Sequence, residues 1–176
     1  MKIIFWILLP LVLNGCASLS KQQCQQGNWE IIGHNDGATG KAYQYLNQHS
    51  KACSEFGISP DVAAYQRGRM QGLKNYCIES KGFDIGKNIN DFNDVCPIES
   101  RSQFIKGYQR GLEQAMIDIE SDTLDKNNQL VNKALEVSRL KGTMDKTLRN
   151  SLKSLESDVR ELQSKKRKIR QLQKKY

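Results

Sequence analysis

Five cysteines are the residues best suited to covalent chemistry, and Cys16 differs from the other four in its surroundings. It follows Lys2 and an apolar run at residues 3–13. As a helix this run rises only about 16 Å, whereas the hydrocarbon core of a bilayer is roughly 30 Å thick. A basic residue followed by a short apolar run is typical of an export signal. Residues 1–15 are therefore predicted to be a signal peptide.

The residues around Cys16 predict the fate of its thiol after export. Leu13-Asn14-Gly15-Cys16 resembles the cleavage site of a bacterial lipoprotein, whose cysteine sulfur takes a diacylglyceryl group and whose freed amine takes a third chain such as palmitate. Three acyl chains, at about 0.8 kcal/mol per buried methylene, hold a protein on a membrane. Because Ala17 is not the Asp that retains many lipoproteins at the inner membrane, we expect the periplasmic face of the outer membrane. The alternative is an ordinary signal peptide with Cys16 as a free or disulfide-bonded thiol.

The other cysteines are Cys24, Cys53, Cys77 and Cys96. An even number of thiols in an oxidising compartment favours two disulfides. We prefer the sequential pairing, because Cys77 with Cys96 would close a turn-rich loop of about 20 residues, worth roughly 3 kcal/mol, but the other two pairings stay open. The wide spacings, the lack of a Cys-x-x-Cys pair and the presence of only 2 His argue against zinc. No metal or cofactor is predicted.

Glycines four residues apart form a second pattern, which occurs in two similar segments, Tyr65–Leu73 and Phe104–Leu112. Glycine inside a helix costs about 1 kcal/mol relative to alanine, so its repeated use requires an offsetting cause. Basic residues lie between the glycines, which excludes the membrane-spanning form of this motif. The pattern predicts tight helix crossings at Gly68, Gly72, Gly107 and Gly111. A glycine-lined ligand groove is the alternative.

The surrounding residues predict an all-α head at 27–115, preceded by a polar tether at 16–26. One helical face is formed by Ala42, Leu46, His49 and Cys53, and Ser59-Pro60-Asp61 is a strong start for a helix that reaches Tyr76. Residues 78–95 contain two glycines and an Asn/Asp-rich patch, so we interpret them as a loop. Pro97 opens the next helix.

The spacing of residues through the head resembles that of a protein family. The residues that carry the resemblance are Trp29, Gly33, Asp36-Gly37, Gly40, His49, Ala52-Cys53, Gly57, Pro60-Asp61, Tyr65, Gly68, Gly72-Leu73 and Tyr76-Cys77, continued by Gly82, Gly86, Cys96 and Tyr108. They are similar to a family of Gram-negative lipoproteins classified only as a domain of unknown function, over about residues 27–112. The family often has a proline soon after the Tyr-Cys pair, where this chain has Ile78-Glu79-Ser80. The resemblance implies an envelope location, paired cysteines and a helical head, but no activity.

Residues 116–176 have the pattern of a long polar helix or hairpin. Leu124, Val131 and Leu135 form a thin apolar stripe, and Gly142 is predicted to end the first arm. A coiled-coil seam follows at Leu148, Leu152, Leu155, Val159, Leu162, Ile169 and Leu172. We prefer an antiparallel hairpin in which these stripes pack together. Self-association through the coiled coil and one uninterrupted helix are the alternatives.

Charge is unevenly distributed, with 13 Lys and Arg against 4 Asp and Glu in residues 139–176, compared with 13 against 15 in residues 16–138. Such a basic end is usually a solvated helix face, but it also suits contact with an anionic surface. Candidate partners are lipopolysaccharide phosphates, membrane lipid, peptidoglycan carboxylates or an envelope protein. The export signal argues against nucleic acid. The contact residues expected for an anionic partner are Lys165, Lys166, Arg167, Lys168, Lys174 and Lys175.

No residue set in the sequence requires catalysis. His34 with Asp36 and Ser54 could form a hydrolytic set, and Glu30 with Asp36 a pair of acids, but the spacing compels neither. We therefore predict no catalytic residues and a non-enzymatic envelope lipoprotein with a structural or interaction role. The alternative function is a periplasmic binding or inhibitor module that acts through the helical head.

Overall fold

The computed structural model describes residues 18–139 and 146–176, and all the regular elements in these ranges are helical. The α-helices are α1 (Lys21–Gln26), α2 (Trp29–Ala38), α3 (Leu46–Ser54), α4 (Val62–Tyr76), α5 (Glu79–Lys87), α6 (Ile98–Arg139) and α7 (Lys146–Lys175), with a 3-10 turn at Tyr43–Tyr45. The predicted all-α class is confirmed. The predicted signal peptide, Cys16 and the turn at Gly142 lie outside the described residues.

The head consists of two similar helix pairs, which we call unit 1 (α2 with α4) and unit 2 (α5 with α6). Within each pair the helix backbones touch at glycines. A Cβ at Gly68 or Gly72 would overlap the backbone carbonyls of Glu30 and His34 on α2. The corresponding glycines of unit 2, Gly107 and Gly111, meet the carbonyls of Glu79 and Phe83. All four glycines that the sequence predicts at helix crossings therefore lie at one.

The interpretation of residues 78–95 as a loop is wrong in its first half, where α5 forms. Gly82 and Gly86 resemble loop glycines in the sequence, but they meet the carbonyls of Phe104 and Tyr108 at the crossing of unit 2. The helix is tolerated because the close packing of the two backbones offsets the low helix propensity of glycine. Helix α5 is thus the counterpart of α2, in which Gly33 and Gly37 meet α4 in the same way.

The turns that follow α2 and α5 are also alike. In unit 1 the Lys41 N–H donates to the Asp36 carbonyl at 2.9 Å, and in unit 2 the Asn90 N–H donates to the Ile85 carbonyl at 3.1 Å. One residue earlier in each turn the backbone is left-handed, with φ of 69° at Gly40 and 55° at Ile89. The matching positions extend the repeat seen in the sequence to whole helix pairs.

The disulfides join Cys24 to Cys53 and Cys77 to Cys96, which is the sequential pairing. In both units the first cysteine precedes the first helix of the pair, and the second cysteine precedes the second helix. Each bond therefore joins the two segments that lead into the helices of a pair. Because all four thiols are bonded to each other, they are not available to bind zinc.

Residues 18–26 do not form the tether that the sequence predicts. Ser20 caps α1 in a capping box with Gln23, and Leu19 and Cys24 are buried against the head. The segment is polar in composition, but two apolar side chains and a disulfide are enough to hold so short a stretch in place. The chain is consequently attached to the head from its first described residues.

Helices α6 and α7 form an antiparallel hairpin, which confirms the preferred arrangement of the arm. The Lys166 ammonium pairs with Glu120 at 2.6 Å, and Lys126 pairs with Asp158 at 3.0 Å. The apolar seam is best developed beside the head, where it is formed by Leu112, Ala115, Ile119, Leu162, Ile169 and Leu172.

The predicted apolar stripe on the first arm is wrong, because Leu124, Val131 and Leu135 are 64, 58 and 51% exposed. The side of α6 that faces α7 is set by the seam that begins in the head. Continuing that seam at helical spacing gives half-buried residues that are partly polar, namely Thr123, Lys126, Leu130, Lys133 and Val137. The predicted stripe therefore lies on the outer side of the hairpin.

The last residue fastens the hairpin to the head. The ring of Tyr176 stacks on Phe92 with centroids 4.3 Å apart, and its hydroxyl donates to Asp91 at 2.8 Å. The neighbouring Lys175 pairs with the same carboxylate at 2.7 Å. The basic end of the sequence is therefore beside the head and not at the remote tip of the arm.

We predict that Gly68→Ala destabilises the protein by about 3 kcal/mol, because its methyl group would force α2 away from α4. Urea unfolding with both disulfides intact measures this. Gly57→Ala is the matched control, since Gly57 has φ of 70° but no neighbour within 4 Å of the added carbon, so only backbone strain of about 1 kcal/mol is expected. Equal costs for the two variants would contradict a tight crossing.

Candidate functional site

A buried polar cluster lies in unit 1, centred on the carboxylate of Asp36 near the end of α2. The imidazole of His49 on α3 lies 2.8 Å from Oδ2, and the hydroxyl of Tyr65 on α4 donates to the same oxygen at 2.9 Å. The ammonium of Lys41, in the turn after α2, lies 3.1 Å from Oδ1. Asp36 and His49 are only 4% and 2% exposed, so four segments of the head meet at one nearly dry carboxylate.

The ionisation of this cluster follows from its contacts. Burial by itself would raise the pKa of Asp36, but the hydrogen bonds from His49, Tyr65 and Lys41 outweigh it and hold that pKa below its ordinary value. Burial and the nearby carboxylate raise the pKa of Tyr65 well above its ordinary value. Asp36 is therefore a carboxylate whose two oxygens are both occupied, which leaves it poorly placed to accept a proton from a substrate.

The cluster extends to the start of the described chain. The Nδ1 atom of His49 lies 2.9 Å from Oγ of Ser18, so Ser18, His49 and Asp36 form a continuous hydrogen-bonded row. The same residue types activate a nucleophile in serine hydrolases. In this chain Ser18 adjoins the buried Leu19, so the row holds the first described residues on the head.

Neither of the catalytic sets considered from the sequence is assembled. Asp36 pairs with His49 and not with His34, and Ser54 donates to the carbonyl of Lys51. The carboxylate of Glu30 lies on the surface, with Oε2 3.6 Å from Nη2 of Arg67, and it is far more exposed than the carboxylate of Asp36. The sequence contained one usable signal for the true cluster, which is that His49 shares a predicted helix face with Leu46 and Cys53.

Comparison of the two units shows that the fold does not need this polar cluster. Counting from the crossing glycines, Ile85 of unit 2 corresponds to Asp36, and Phe104 corresponds to Tyr65. Ile85 packs against the apolar cluster that contains buried Phe104. Apolar contacts in unit 2 therefore occupy the place that hydrogen-bonded side chains occupy in unit 1. The polar residues are therefore specific to unit 1.

A second buried polar group, Arg69 on α4, adjoins the cluster. Its Nη2 donates to the carbonyl of Lys41 at 3.0 Å, and its guanidinium carbon lies 5.9 Å from the ring centre of Tyr43. The side chain is only 9% exposed, and its Nε has no hydrogen-bond partner among the described residues.

The basic residues expected to contact an anionic partner fall into two groups. Lys165, Lys166 and Lys175 pair with Glu161, Glu120 and Asp91 of the same chain. The other three are exposed and have no ion pair with a described residue, and these are Arg167, Lys168 and Lys174.

A longer basic feature, not recognised from the sequence, includes two of these unpaired residues. Every seventh residue of α7 is basic from the first described position to the end of the helix, and we call this set the cation ladder: Lys146, Lys153, Arg160, Arg167 and Lys174. All five are exposed, and none is in an ion pair with another described residue. They lie about 160° around the helix from the seam residues Leu148, Leu155 and Leu162. The ladder thus runs along the outer edge of the hairpin for about 42 Å.

The His, Cys, Asp and Glu side chains of residues 18–139 and 146–176 do not gather in any group of three that could hold a metal ion. None of the helices in those ranges is long and apolar enough to cross a membrane.

Comparison with known proteins shows a match over the head. Residues 28–113 match the family described as "Protein of unknown function (DUF2799)". The matched region contains unit 1, α5 and the start of α6, and therefore both crossings, together with Cys53, Cys77 and Cys96. The expected resemblance to a domain of unknown function is thereby confirmed over this range. No curated protein and no solved structure matches the chain.

We predict that the Asp36 cluster makes the head sensitive to acid. A carboxylate whose pKa is lowered by folding stabilises the protein fully above its unfolded-state pKa, near 3.8, and loses that contribution as the pH falls through the lower folded-state value. Asp36→Asn should therefore be less stable at pH 7, by roughly 2–3 kcal/mol, and should lose less stability than the unmodified protein below about pH 4.

Urea unfolding between pH 7 and pH 2 measures both effects. The control is Asp84→Asn, which changes an exposed carboxylate on α5 and should follow the unmodified protein at every pH. A profile for Asp36→Asn that runs parallel to the unmodified protein below pH 4 would show that Asp36 is not linked to folding.

Proposed function

We propose that this chain is a non-enzymatic, lipid-anchored protein of the cell envelope, held at the periplasmic face of the outer membrane, that contacts an anionic envelope component through the cation ladder. The ladder is the observation that supports this function best. Its cations are exposed and unpaired within the described chain, so their charge is available to a partner.

The shape of the ladder suits an extended partner. Its side chains emerge about 10 Å apart along one side of the helix, so several of them reach an extended anion together. Each well-placed cation near an anionic membrane contributes about 1 kcal/mol. Lipopolysaccharide phosphates and peptidoglycan carboxylates both present repeated negative charges of this kind.

The packing at the start of the described chain supports close attachment to a membrane. Two residues of extended chain span at most about 7 Å, so acyl chains on Cys16 would start within that distance of Ser18. Ser18 and Leu19 are themselves held on the head. An anchor at Cys16 would therefore hold the head directly at the lipid surface, without a flexible tether.

We predict that reversing three central charges of the ladder, with Lys153→Glu, Arg160→Glu and Arg167→Glu together, weakens binding to the anionic partner at least tenfold. The reason is that the contact depends on the sum of several exposed cations. Co-sedimentation with purified peptidoglycan and with lipopolysaccharide vesicles, each at low and at physiological salt, measures binding and separates the two partners.

The matched control reverses three exposed lysines of the head, with Lys51→Glu, Lys74→Glu and Lys87→Glu, and so changes the net charge equally. Equal losses in both triple variants would mean that only net charge matters. Unchanged binding by the ladder variant would favour the alternative function, a binding module that acts through the head.

We predict that the mature protein begins at acylated Cys16 and that Cys16→Ser moves it from the membrane fraction to the soluble periplasmic fraction. Mass spectrometry of the mature amino terminus measures the acylation, and fractionation measures the location. An unacylated terminus in the unmodified protein would reject the anchor, whatever the result for the ladder.

A further inference from the structure

Arg69 is a buried cation without an acidic partner among the described residues. Within the described chain its one hydrogen bond goes to the Lys41 carbonyl, which is neutral, and its Nε has none. The buried carboxylate of Asp36 is not its partner, because the two oxygens of Asp36 are occupied by Lys41, His49 and Tyr65. A buried charge without a partner costs several kcal/mol, so its presence requires an explanation.

Comparison with unit 2 shows that the packing of the fold does not require a charged side chain at this position. Tyr108 stands one residue after the crossing Gly107, as Arg69 stands one residue after Gly68. The Tyr108 hydroxyl donates to the carbonyl of Asn90 at 2.9 Å, and Asn90 corresponds to Lys41. A neutral side chain thus makes the same contact to the same turn, and the positive charge of Arg69 is additional to what the packing needs.

The surroundings of Arg69 favour an anion. The ammonium of Lys41, whose side chain is 38% exposed, pairs with Asp36, so these two charges balance and the positive charge of Arg69 is left unbalanced beside them. The ring of Tyr43 is 40% exposed, and its centre lies 5.9 Å from the guanidinium carbon. An arginine held in this way presents a fixed, largely desolvated fork, which is the geometry that proteins use to bind carboxylates and phosphates.

We propose that Arg69 is the centre of an oxyanion-binding site in unit 1, which takes a carboxylate or phosphate group of a ligand on its guanidinium group, with Lys41 and Tyr43 beside it. This site is separate from the cation ladder, which lies on α7. It assigns a role to residues that differ between the two units. It also predicts that the charge of Arg69 destabilises the protein when no anion is bound.

The test compares the full mature chain with Arg69→Tyr, which installs the residue of unit 2. Thermal unfolding is followed in sodium chloride, acetate and phosphate at equal ionic strength, with isothermal calorimetry for direct binding. For the unmodified protein, phosphate or acetate at ten times its Kd should raise Tm by roughly 3–5 °C over chloride. Arg69→Tyr should lose this rise, and in chloride its Tm should be higher than that of the unmodified protein.

Two further variants test the position and the shape of the positive charge. Arg67→Tyr makes the same substitution at an exposed position of α4 and should keep the anion effect. Arg69→Lys preserves the charge without the fork and should bind at least tenfold more weakly. A preference for acetate indicates a carboxylate ligand, and a preference for phosphate indicates a phosphorylated one. Equal Tm in all three salts, or the same rise in Arg69→Tyr, would overturn the proposal.

Discussion

The close contact of helix backbones at glycine is the constraint on which the rest of the structure depends. In each unit, glycines on both helices meet carbonyl groups of the other helix, and no larger residue fits at these points. This contact fixes the rotation of α6 about its own axis, with Tyr108 and Leu112 facing inward. The seam that begins there continues along α6 and decides which side of α7 is buried. The cation ladder therefore faces outward because the contacts at Gly107 and Gly111 fix the rotation of α6.

The two units show how one helix pair can be stabilised in two ways. Unit 2 fills its centre with Phe104, Tyr108 and Phe92, whose rings pack edge to face at 4.7–4.9 Å. Unit 1 uses a hydrogen-bonded carboxylate at the corresponding place. A satisfied polar network is no more stabilising than a well-packed apolar core, because each buried polar group must first lose its water. The retention of the polar version in unit 1 is thus better explained by what unit 1 binds or holds than by stability.

The sequence could predict the features that depend on local spacing. Glycines four residues apart predict the crossings, and the cap at Asp61, which accepts from the Ala64 N–H, is visible in Ser59-Pro60-Asp61. Features that depend on how helices rotate could not be predicted. Leu124 has the spacing of a seam residue, but the position of α6 in the head turns it outward. The sequence does not predict helix α5, because Gly82 and Gly86 are compatible both with a loop and with a helix crossing. Only the presence of a facing helix distinguishes these two possibilities.

The disulfides of the head could be predicted from the sequence, but the polar cluster around Asp36 could not. Cysteine spacing favours the observed pairing, since each bond closes a short connection. The partners of Asp36 come from α3, α4 and the turn after α2, and His49 is 13 residues away while Tyr65 is 29 away. No local pattern connects residues so far apart. The internal repeat could have directed attention to them, because an Asp where the second copy has Ile is visible once the two units are aligned on their glycines.

The two positively charged features of the molecule are of different physical kinds. The cation ladder is exposed, so its cations act through the sum of weak contacts, and salt screens them over about 8 Å at physiological ionic strength. Arg69 is buried, where screening is much weaker and geometry decides which anion fits. The first kind of feature suits adhesion to a repetitive surface, and the second suits recognition of a single group. Since the two features lie on different helices and depend on salt differently, the two proposed contacts can form independently of each other.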